Sequence, residues 1–174
     1  MVTRVVVAED SMLMREGIVS VLSLDPEIEL IASCGDFDEL IEAVSTEPPD
    51  VVVTDIRMPP TQTDEGIRAA NLIRDEHPNI GVVVLSQYVE PEYAMKLLED
   101  GSDGRAYLLK ERVADHDELS STIKRVAEGG SIIDPRVVDA LISGRRSKES
   151  SVLNRLTERE TEVLAHMAEG HNNA

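Results

Sequence analysis

The sequence predicts a doubly wound α/β domain on a five-stranded parallel sheet, followed by a short helical tail. Two observations lead to this prediction. Four apolar runs lack the alternation of polar and apolar residues, which is typical of strands buried on both faces; they are residues 5–8, 51–54, 82–85 and 107–109. Helical patterns separate these runs, and such alternation is typical of a parallel sheet covered by helices on both sides.

Each predicted element follows from a local pattern. Ser11 can cap the first helix, and Asp36 can cap the second. Residues 28–33 alternate like a strand beside the first one. The remaining helices show apolar periodicity and are ended by Pro or Gly; they are predicted over residues 64–76, 90–100 and 115–128. Five strands and five helices within residues 1–128 make a flavodoxin-like domain.

The character of the chain changes after residue 130. Asp134-Pro135 is expected to open a short amphipathic helix that Ser143-Gly144 closes, and the polar residues 145–151 are expected to form a flexible linker. Thr157 then begins another helix, because the sequence there forms a capping box. The predicted organisation is a domain over residues 1–130, a linker helix and linker over 131–153, and a separate helical segment over 154–174.

Charge and composition limit the possible partners. The formal net charge is −17, and residues 1–135 contain 28 Asp or Glu against 11 Lys or Arg, so this part would repel DNA. There is no run of about 18 apolar residues and no basic-then-apolar leader, so we expect a cytoplasmic protein with no membrane contact. The single cysteine, Cys34, is expected to be a buried small hydrophobe, and none of the four histidines has a partner at metal-ligand spacing.

The buried runs end at polar residues with distinct chemical properties. Glu9 and Asp10 follow the first strand, Asp55 follows the third, and Ser86 and Lys110 follow the last two. Because ligands of such sheets bind outside the carboxyl ends of the strands, these side chains are expected to converge. Three carboxylates that meet repel one another unless a divalent cation neutralises them, and hard oxygen ligands suit Mg²⁺.

Asp55 is the residue expected to perform the chemistry. A carboxylate beside Mg²⁺ can attack a phosphoryl donor in line, because the cation screens the negative charges of both. Asp10 would bind the cation directly and Glu9 directly or through water, while Lys110 and Ser86 would bind phosphoryl oxygens. Taken singly, these residues have ordinary alternatives: the acids can begin a helix or cap a turn, and so can the serine.

Four motifs resemble those of two-component response-regulator receiver domains; they are Glu9-Asp10, residues 54–59 (Thr-Asp-Ile-Arg-Met-Pro), Ser86 and residues 107–110 (Tyr-Leu-Leu-Lys). The resemblance implies that Asp55 accepts phosphate from a sensor histidine kinase, and that the chain catalyses only its own Mg²⁺-dependent phosphorylation and dephosphorylation. It also implies that the backbone carbonyl of Arg57 completes the metal shell, that Ser86 and Tyr107 form the switch, and that Arg57 and Tyr88 tune hydrolysis. We expect phosphorylation to promote a homodimer.

Two positions depart from the family pattern. The loop after Asp55 is extended by residues 60–66, where the family turns sooner, and Lys110 is followed by Glu111 instead of the common proline. Tyr107 also has an alternative role, which is ordinary packing between sheet and helix.

The end of the chain resembles the opening of a LuxR-type helix-turn-helix, as in the NarL/FixJ-like family. Residues 156–164 and 168–174 match its first helix and the start of its second. The recognition helix that would enter the major groove is missing from this sequence, so DNA binding is expected only of a full-length form. The leading hypothesis is a phosphorylation-switched transcription regulator.

Three other classes of protein share parts of this pattern. A stand-alone receiver that relays phosphate or switches a protein partner would not need the Thr157 helix. A haloacid-dehalogenase-like phosphatase also uses an Asp nucleophile with Mg²⁺, but it needs an acid two residues later, where this chain has Arg57. A Rossmann nucleotide-binding domain needs glycines after the first strand, where residues 8–11 are Ala-Glu-Asp-Ser.

Overall fold

The structure is a computed structural model that describes residues 2–153, with side chains described for residues 2–144. The predicted Thr157 helix and the LuxR-like segment 154–174 lie outside the described residues. Within residues 2–153, no helix is long and apolar enough to cross a membrane.

A parallel sheet forms the centre of the molecule. Within the described residues its strands are β1 Thr3–Ala8, β2 Ile28–Cys34, β3 Val51–Asp55, β4 Gly81–Ser86, β5 Arg105–Leu109 and β6 Ile132–Ile133. They are arranged in the order β2-β1-β3-β4-β5-β6. The direction of winding reverses between β1 and β3, which pair from Val5 opposite Val51 to Ala8 opposite Thr54. This reversal opens a crevice at the carboxyl ends of β1 and β3.

The parallel, flavodoxin-like α/β fold is confirmed, but the prediction of five strands was wrong by one. The short strand β6 pairs with β5, with Ala106 opposite Ile132 and Tyr107 opposite Ile133. Two residues are too few to show a periodic pattern, so this strand is defined by its partner and not by its own sequence.

Helices cover both faces of the sheet. Within residues 2–153 they are α1 Met12–Leu22, α2 Phe37–Thr46, α3 Glu65–Glu76, α4 Pro91–Leu98, α5 His116–Ala127 and α6 Pro135–Leu153, with a 3₁₀ helix at Lys110–Ala114. The two predicted caps are confirmed, because the side chain of Ser11 accepts a hydrogen bond from Met14 N and that of Asp36 accepts one from Glu39 N. Core residues of α1 and α5 pack on one face of the sheet, and those of α2, α3, α4 and α6 on the other.

Strand residues alternate between these two cores. Val5 and Val7 belong to the core with α1 and α5, whereas Val6 belongs to the opposite core. All three side chains are fully buried, which confirms that the Val-rich runs are covered on both faces. Cys34 is also buried, as expected.

Helix α6 differs from its prediction. It begins at Pro135 as expected, but it does not end at Ser143-Gly144 and continues to Leu153 through the stretch predicted as a flexible linker. Val137 is fully buried in the core that contains Tyr107, and this contact anchors the first turn of the helix. A glycine inside a helix costs only about 1 kcal/mol relative to alanine, so a glycine without a following proline is a weak stop signal.

Candidate functional site

A cleft of about 280 Å³ lies at the carboxyl ends of β1, β3, β4 and β5. Its lining includes the residues that the sequence predicted at this edge with a chemical role, except Tyr107, which is buried and does not line the cleft. The predicted residues that line it are Glu9, Asp10, Asp55, Arg57, Ser86, Tyr88 and Lys110. The predicted convergence is therefore present in the fold. It arises because the carboxyl ends of parallel strands meet at one edge of the sheet.

Three carboxylates and one ammonium form the centre of the cleft. One oxygen each of Glu9, Asp10 and Asp55 lie within 4.8 Å of one another, with Glu9 and Asp55 buried and Asp10 exposed. Lys110 Nζ lies 3.0 Å from Glu9 Oε2 and 3.1 Å from Asp55 Oδ2. The ammonium therefore compensates part of the charge of the two buried acids, and Asp10 adds a third negative charge at the rim.

Burial and mutual repulsion perturb the pKa values of these acids. Burial, reinforced by the charge of Asp55, raises the pKa of Glu9 to about 7, although Lys110 opposes the shift. Burial also raises the pKa of Asp55 against the opposing effect of Lys110. For Lys110, burial disfavours the charged form, but the two acids outweigh it and raise the pKa of the ammonium. The site therefore holds excess negative charge that a cation would stabilise.

The donor set fits a small hard cation. Glu9 Oε2 is buried and accepts no well-aligned hydrogen bond, although Lys110 Nζ is nearby. A buried carboxylate oxygen whose nearby donor is poorly aligned is incompletely satisfied, and a divalent cation would bind it together with the oxygens of Asp10 and Asp55. These three acids are three of the four predicted metal ligands. Their binding of Mg²⁺, and that of the backbone carbonyl of Arg57, stay predictions.

Ser86 and Tyr107 connect the cleft to helix α4. The Ser86 hydroxyl donates a hydrogen bond of 2.7 Å to the carbonyl of Tyr88. Tyr107 is fully buried, and its hydroxyl donates to the carbonyl of Glu90, 3.4 Å away, just before α4. Burial raises the pKa of Tyr107 to about 12 although the nearby Ser86 hydroxyl opposes the shift, so the phenol stays protonated. Tyr107 packs between sheet and helix, and it also contacts Ser86.

Arg57 and Tyr88 line the outer part of the cleft. The side chain of Tyr88 is exposed. The guanidinium of Arg57 pairs with the carboxylate of Glu90 and lies over the ring of Tyr93, 5.9 Å from its centroid. Both residues are therefore at the mouth through which water or a phosphoryl donor would enter.

Sequence reasoning missed Gln62, which belongs to the extended loop after β3. Gln62 Nε2 donates a 3.0 Å hydrogen bond to Asp10 Oδ2, and the side chain lines the cleft. Burial raises the pKa of Asp10, but hydrogen bonds outweigh it and hold the pKa below its ordinary value. The hydrogen bond from Gln62 makes the largest contribution among them. The length of the loop was the only signal in the sequence that could have indicated such a contact.

The loop that presents Gln62 is built around Glu65. The carboxylate of Glu65 is fully buried and accepts hydrogen bonds of 2.6 Å from both Thr61 N and Thr61 Oγ, and one of 3.0 Å from Thr63 N. Burial opposes ionisation, but these hydrogen bonds outweigh it and lower the pKa of Glu65 to about 2. A buried carboxylate that is charged at neutral pH thus fixes the backbone on both sides of Gln62.

Gly66 lets helix α3 approach the backbone of Asp55. A Cβ atom at this position would lie 2.0 Å from the carbonyl oxygen of Asp55, which is far inside van der Waals contact. Gly66 N also donates a 2.8 Å hydrogen bond to the carbonyl of Ile56. The first turn of α3 therefore supports the backbone that presents the Asp55 carboxylate.

Comparison with known proteins identifies relatives of the whole described domain. The sequence model of the response regulator receiver domain matches residues 5–124. The transcriptional regulatory protein DegU of Brevibacillus brevis is 35% identical over 187 residues, which cover 98% of this chain and 76% of DegU. The solved signal receiver domain of NarL from Mycobacterium tuberculosis is 29% identical with a TM-score of 0.65, over 74% of this chain and 98% of that one. A DNA-binding response regulator of the LuxR family from Staphylococcus aureus is 29% identical with a TM-score of 0.63, over 72% of this chain and 99% of that one.

Proposed function

Because this chain belongs to the response regulator receiver family, we propose that it is a transcription regulator switched by transfer of a phosphoryl group from a sensor histidine kinase to Asp55. One observation supports Asp55 above all. Its buried carboxylate lies 3.1 Å from Lys110 Nζ, in a cleft, beside two further acids whose oxygens are within 4.8 Å. A carboxylate next to a fixed ammonium and a cation site is arranged for in-line attack on phosphorus.

The transfer needs no other nucleophile. A carboxylate oxygen of Asp55 attacks the phosphorus, the bond from phosphorus to the kinase imidazole breaks, and the imidazole leaves with the electron pair. Mg²⁺, held by Glu9, Asp10, Asp55 and the carbonyl of Arg57, would neutralise negative charge on the transferred group. Lys110 can then bind one phosphoryl oxygen with the ammonium that holds Glu9 and Asp55 in this structure.

The switch begins at Ser86. To donate to a phosphoryl oxygen, the Ser86 hydroxyl must give up its 2.7 Å hydrogen bond to the carbonyl of Tyr88. Tyr107 contacts Ser86 and the carbonyl of Glu90, so it can follow the serine and change the surface next to α4. We infer that this shift of a pre-existing equilibrium promotes a homodimer through a helical face.

The proposed output is control of transcription in the cytoplasm. DegU is a transcriptional regulatory protein, and the relative from Staphylococcus aureus is a DNA-binding response regulator. For this chain, DNA contact is assigned to a complete LuxR-type helix-turn-helix, of which residues 154–174 resemble the opening. The acidic receiver would repel DNA phosphates.

Phosphatase activity towards other substrates is not favoured. Receiver domains are not classical enzymes, and the residue two positions after Asp55 is Arg57, whose guanidinium pairs with Glu90 and cannot serve as a general acid at neutral pH. A stand-alone receiver remains the alternative for a chain without a DNA-binding output.

Mass spectrometry of the intact chain after incubation with acetyl phosphate tests this function. We expect one added phosphoryl group that requires Mg²⁺, and we expect Asp55→Asn to abolish it. Labelling of the Asn variant to the same extent as wild type would refute the assignment of Asp55. Labelling that is unaffected by removal of divalent cations with a chelator would refute the metal site.

A further inference from the structure

Asp134 is a buried carboxylate outside the cleft, and the proposed transfer does not use it. Its side chain is fully buried, and each of its oxygens accepts hydrogen bonds. Oδ2 accepts from Leu109 N at 3.3 Å and from Arg112 Nε at 3.0 Å, and Oδ1 accepts from a second guanidinium nitrogen of Arg112 at 3.3 Å. Oδ1 also accepts from Arg136 N at 3.0 Å. The buried charge of Asp134 is therefore fully paired, and its hydrogen bonds fix the relative positions of the groups that donate to it.

The donors to Asp134 lie on both sides of Lys110. Leu109 immediately precedes Lys110, and Arg112 follows it by two residues in the 3₁₀ helix. In addition, Asp134 N donates a 2.8 Å hydrogen bond to the carbonyl of Tyr107. The segment with the phosphate-binding lysine and the buried tyrosine is thus attached to Asp134 at three points.

Asp134 also holds the first turn of α6. Its carbonyl accepts hydrogen bonds from Val137 N at 2.9 Å and from Val138 N at 3.1 Å, and its side chain caps Arg136 N. The side chain of Val137 is fully buried in the same core as Tyr107. Both polar and apolar contacts therefore join the start of α6 to the segment around Lys110.

We propose that Asp134 is a positioning residue that couples Lys110 to helix α6, so that phosphoryl transfer to Asp55 changes how firmly the first turn of α6 is held. This inference rests on the proposed function of Asp55. Lys110 is bound to Glu9 and Asp55 in this structure, and a phosphoryl group would draw the ammonium to a new oxygen. A buried carboxylate whose hydrogen-bond donors move away destabilises the fold. The Asp134 side chain must therefore move with the segment around Lys110, or its hydrogen bonds to that segment must break.

The amides of Val137 and Val138 are direct probes of this coupling, since both donate to the carbonyl of Asp134. Their hydrogen exchange can be followed by NMR without and with beryllofluoride, a stable phosphoryl analogue, in the presence of Mg²⁺. We expect the analogue to change both exchange rates by roughly fivefold or more, because exchange of these amides requires local opening of the first turn of α6. Arg112→Gln removes the paired cation but leaves the cap on Arg136 N, and we expect it to reduce the response to less than about twofold.

Glu111→Gln provides a matched control in the same 3₁₀ helix. It removes the ion pair between Glu111 and Arg136, which joins the same two elements at the exposed surface. Exposed ion pairs contribute little to stability, so we expect this variant to respond like wild type.

The ¹⁹F signal of bound beryllofluoride distinguishes failure of the proposed function from failure of the coupling role of Asp134. If wild type binds no beryllofluoride, the proposed function fails. If it binds the analogue but Val137 and Val138 do not respond, or if Arg112→Gln responds fully, the coupling role of Asp134 is refuted.

Discussion

Replacement of Glu65 by glutamine is expected to destabilise the domain and to loosen the loop that presents Gln62. The gap between a pKa of about 2 in the fold and the ordinary value of 4.5 corresponds to at most about 3 kcal/mol of stability at neutral pH. The donors of Thr61 and Thr63 are at the surface, so solvent screening lowers this figure, and we expect a loss of about 1–2 kcal/mol. Glutamine has the same size but places an NH₂ group against N–H and O–H donors.

The effect of Glu65→Gln should depend on pH with a defined sign. A carboxyl group whose pKa is lowered by folding stabilises the fold above its unfolded pKa, and this contribution is lost as the pH falls through its folded pKa. The contribution of Glu65 is therefore full above about pH 5 and declines from about pH 4.5 towards pH 2. We expect urea unfolding, followed by circular dichroism, to show a smaller difference in unfolding free energy between wild type and variant at pH 3.5 than at pH 7. The difference should shrink by at least roughly 40%.

Glu42→Gln is the matched control, because Glu42 is exposed on a helix. We expect it to change the free energy of unfolding by no more than about 0.5 kcal/mol at either pH. If Glu65→Gln were as stable as wild type at pH 7, or if its deficit did not depend on pH, the structural role assigned to the Glu65 charge would be wrong.

Three further predictions concern the proposed switch. Tyr88→Ala should shorten the lifetime of phosphorylated Asp55, because the exposed ring at the mouth of the cleft hinders the attacking water. We expect a roughly fivefold effect, which corresponds to about 1 kcal/mol of the barrier to hydrolysis. If the phosphorylated mass decayed at the same rate in both proteins, this role of Tyr88 would be contradicted. Lys110→Ala should separate labelling from dimerisation, so that sedimentation velocity shows a phosphorylated monomer where wild type dimerises. The 174-residue chain should show no sequence-specific DNA binding in a mobility-shift titration at physiological salt. A form extended through a complete helix-turn-helix should bind. Tight, selective binding by the 174-residue chain would overturn the interpretation of residues 154–174.

The sequence alone was sufficient to predict the five longer strands of the sheet and the convergence of five polar side chains at one edge. The Val-rich runs show their burial on both faces directly, because a strand with one exposed face would alternate. Once the runs are parallel strands, topology places Glu9, Asp10, Asp55, Ser86 and Lys110 at one edge, whatever the details of the loops. The caps at Ser11 and Asp36 were also predictable, since each depends on contacts within four residues.

Only the tertiary structure determined the contacts that join distant segments without a local pattern. Gln62 reaches Asp10 across 52 positions of the sequence, because Glu65 fixes the loop around it. Asp134 binds Arg112 across 22 positions, and the sequence shows only a cap residue before Pro135. Helix α6 passes Gly144, where local propensity predicted an end. For Gln62 and Asp134 the decisive free energy comes from a partner far away in sequence, and a local pattern contains no information about that partner. For α6, a lone glycine is only a weak stop signal, so the sequence did not determine where the helix ends.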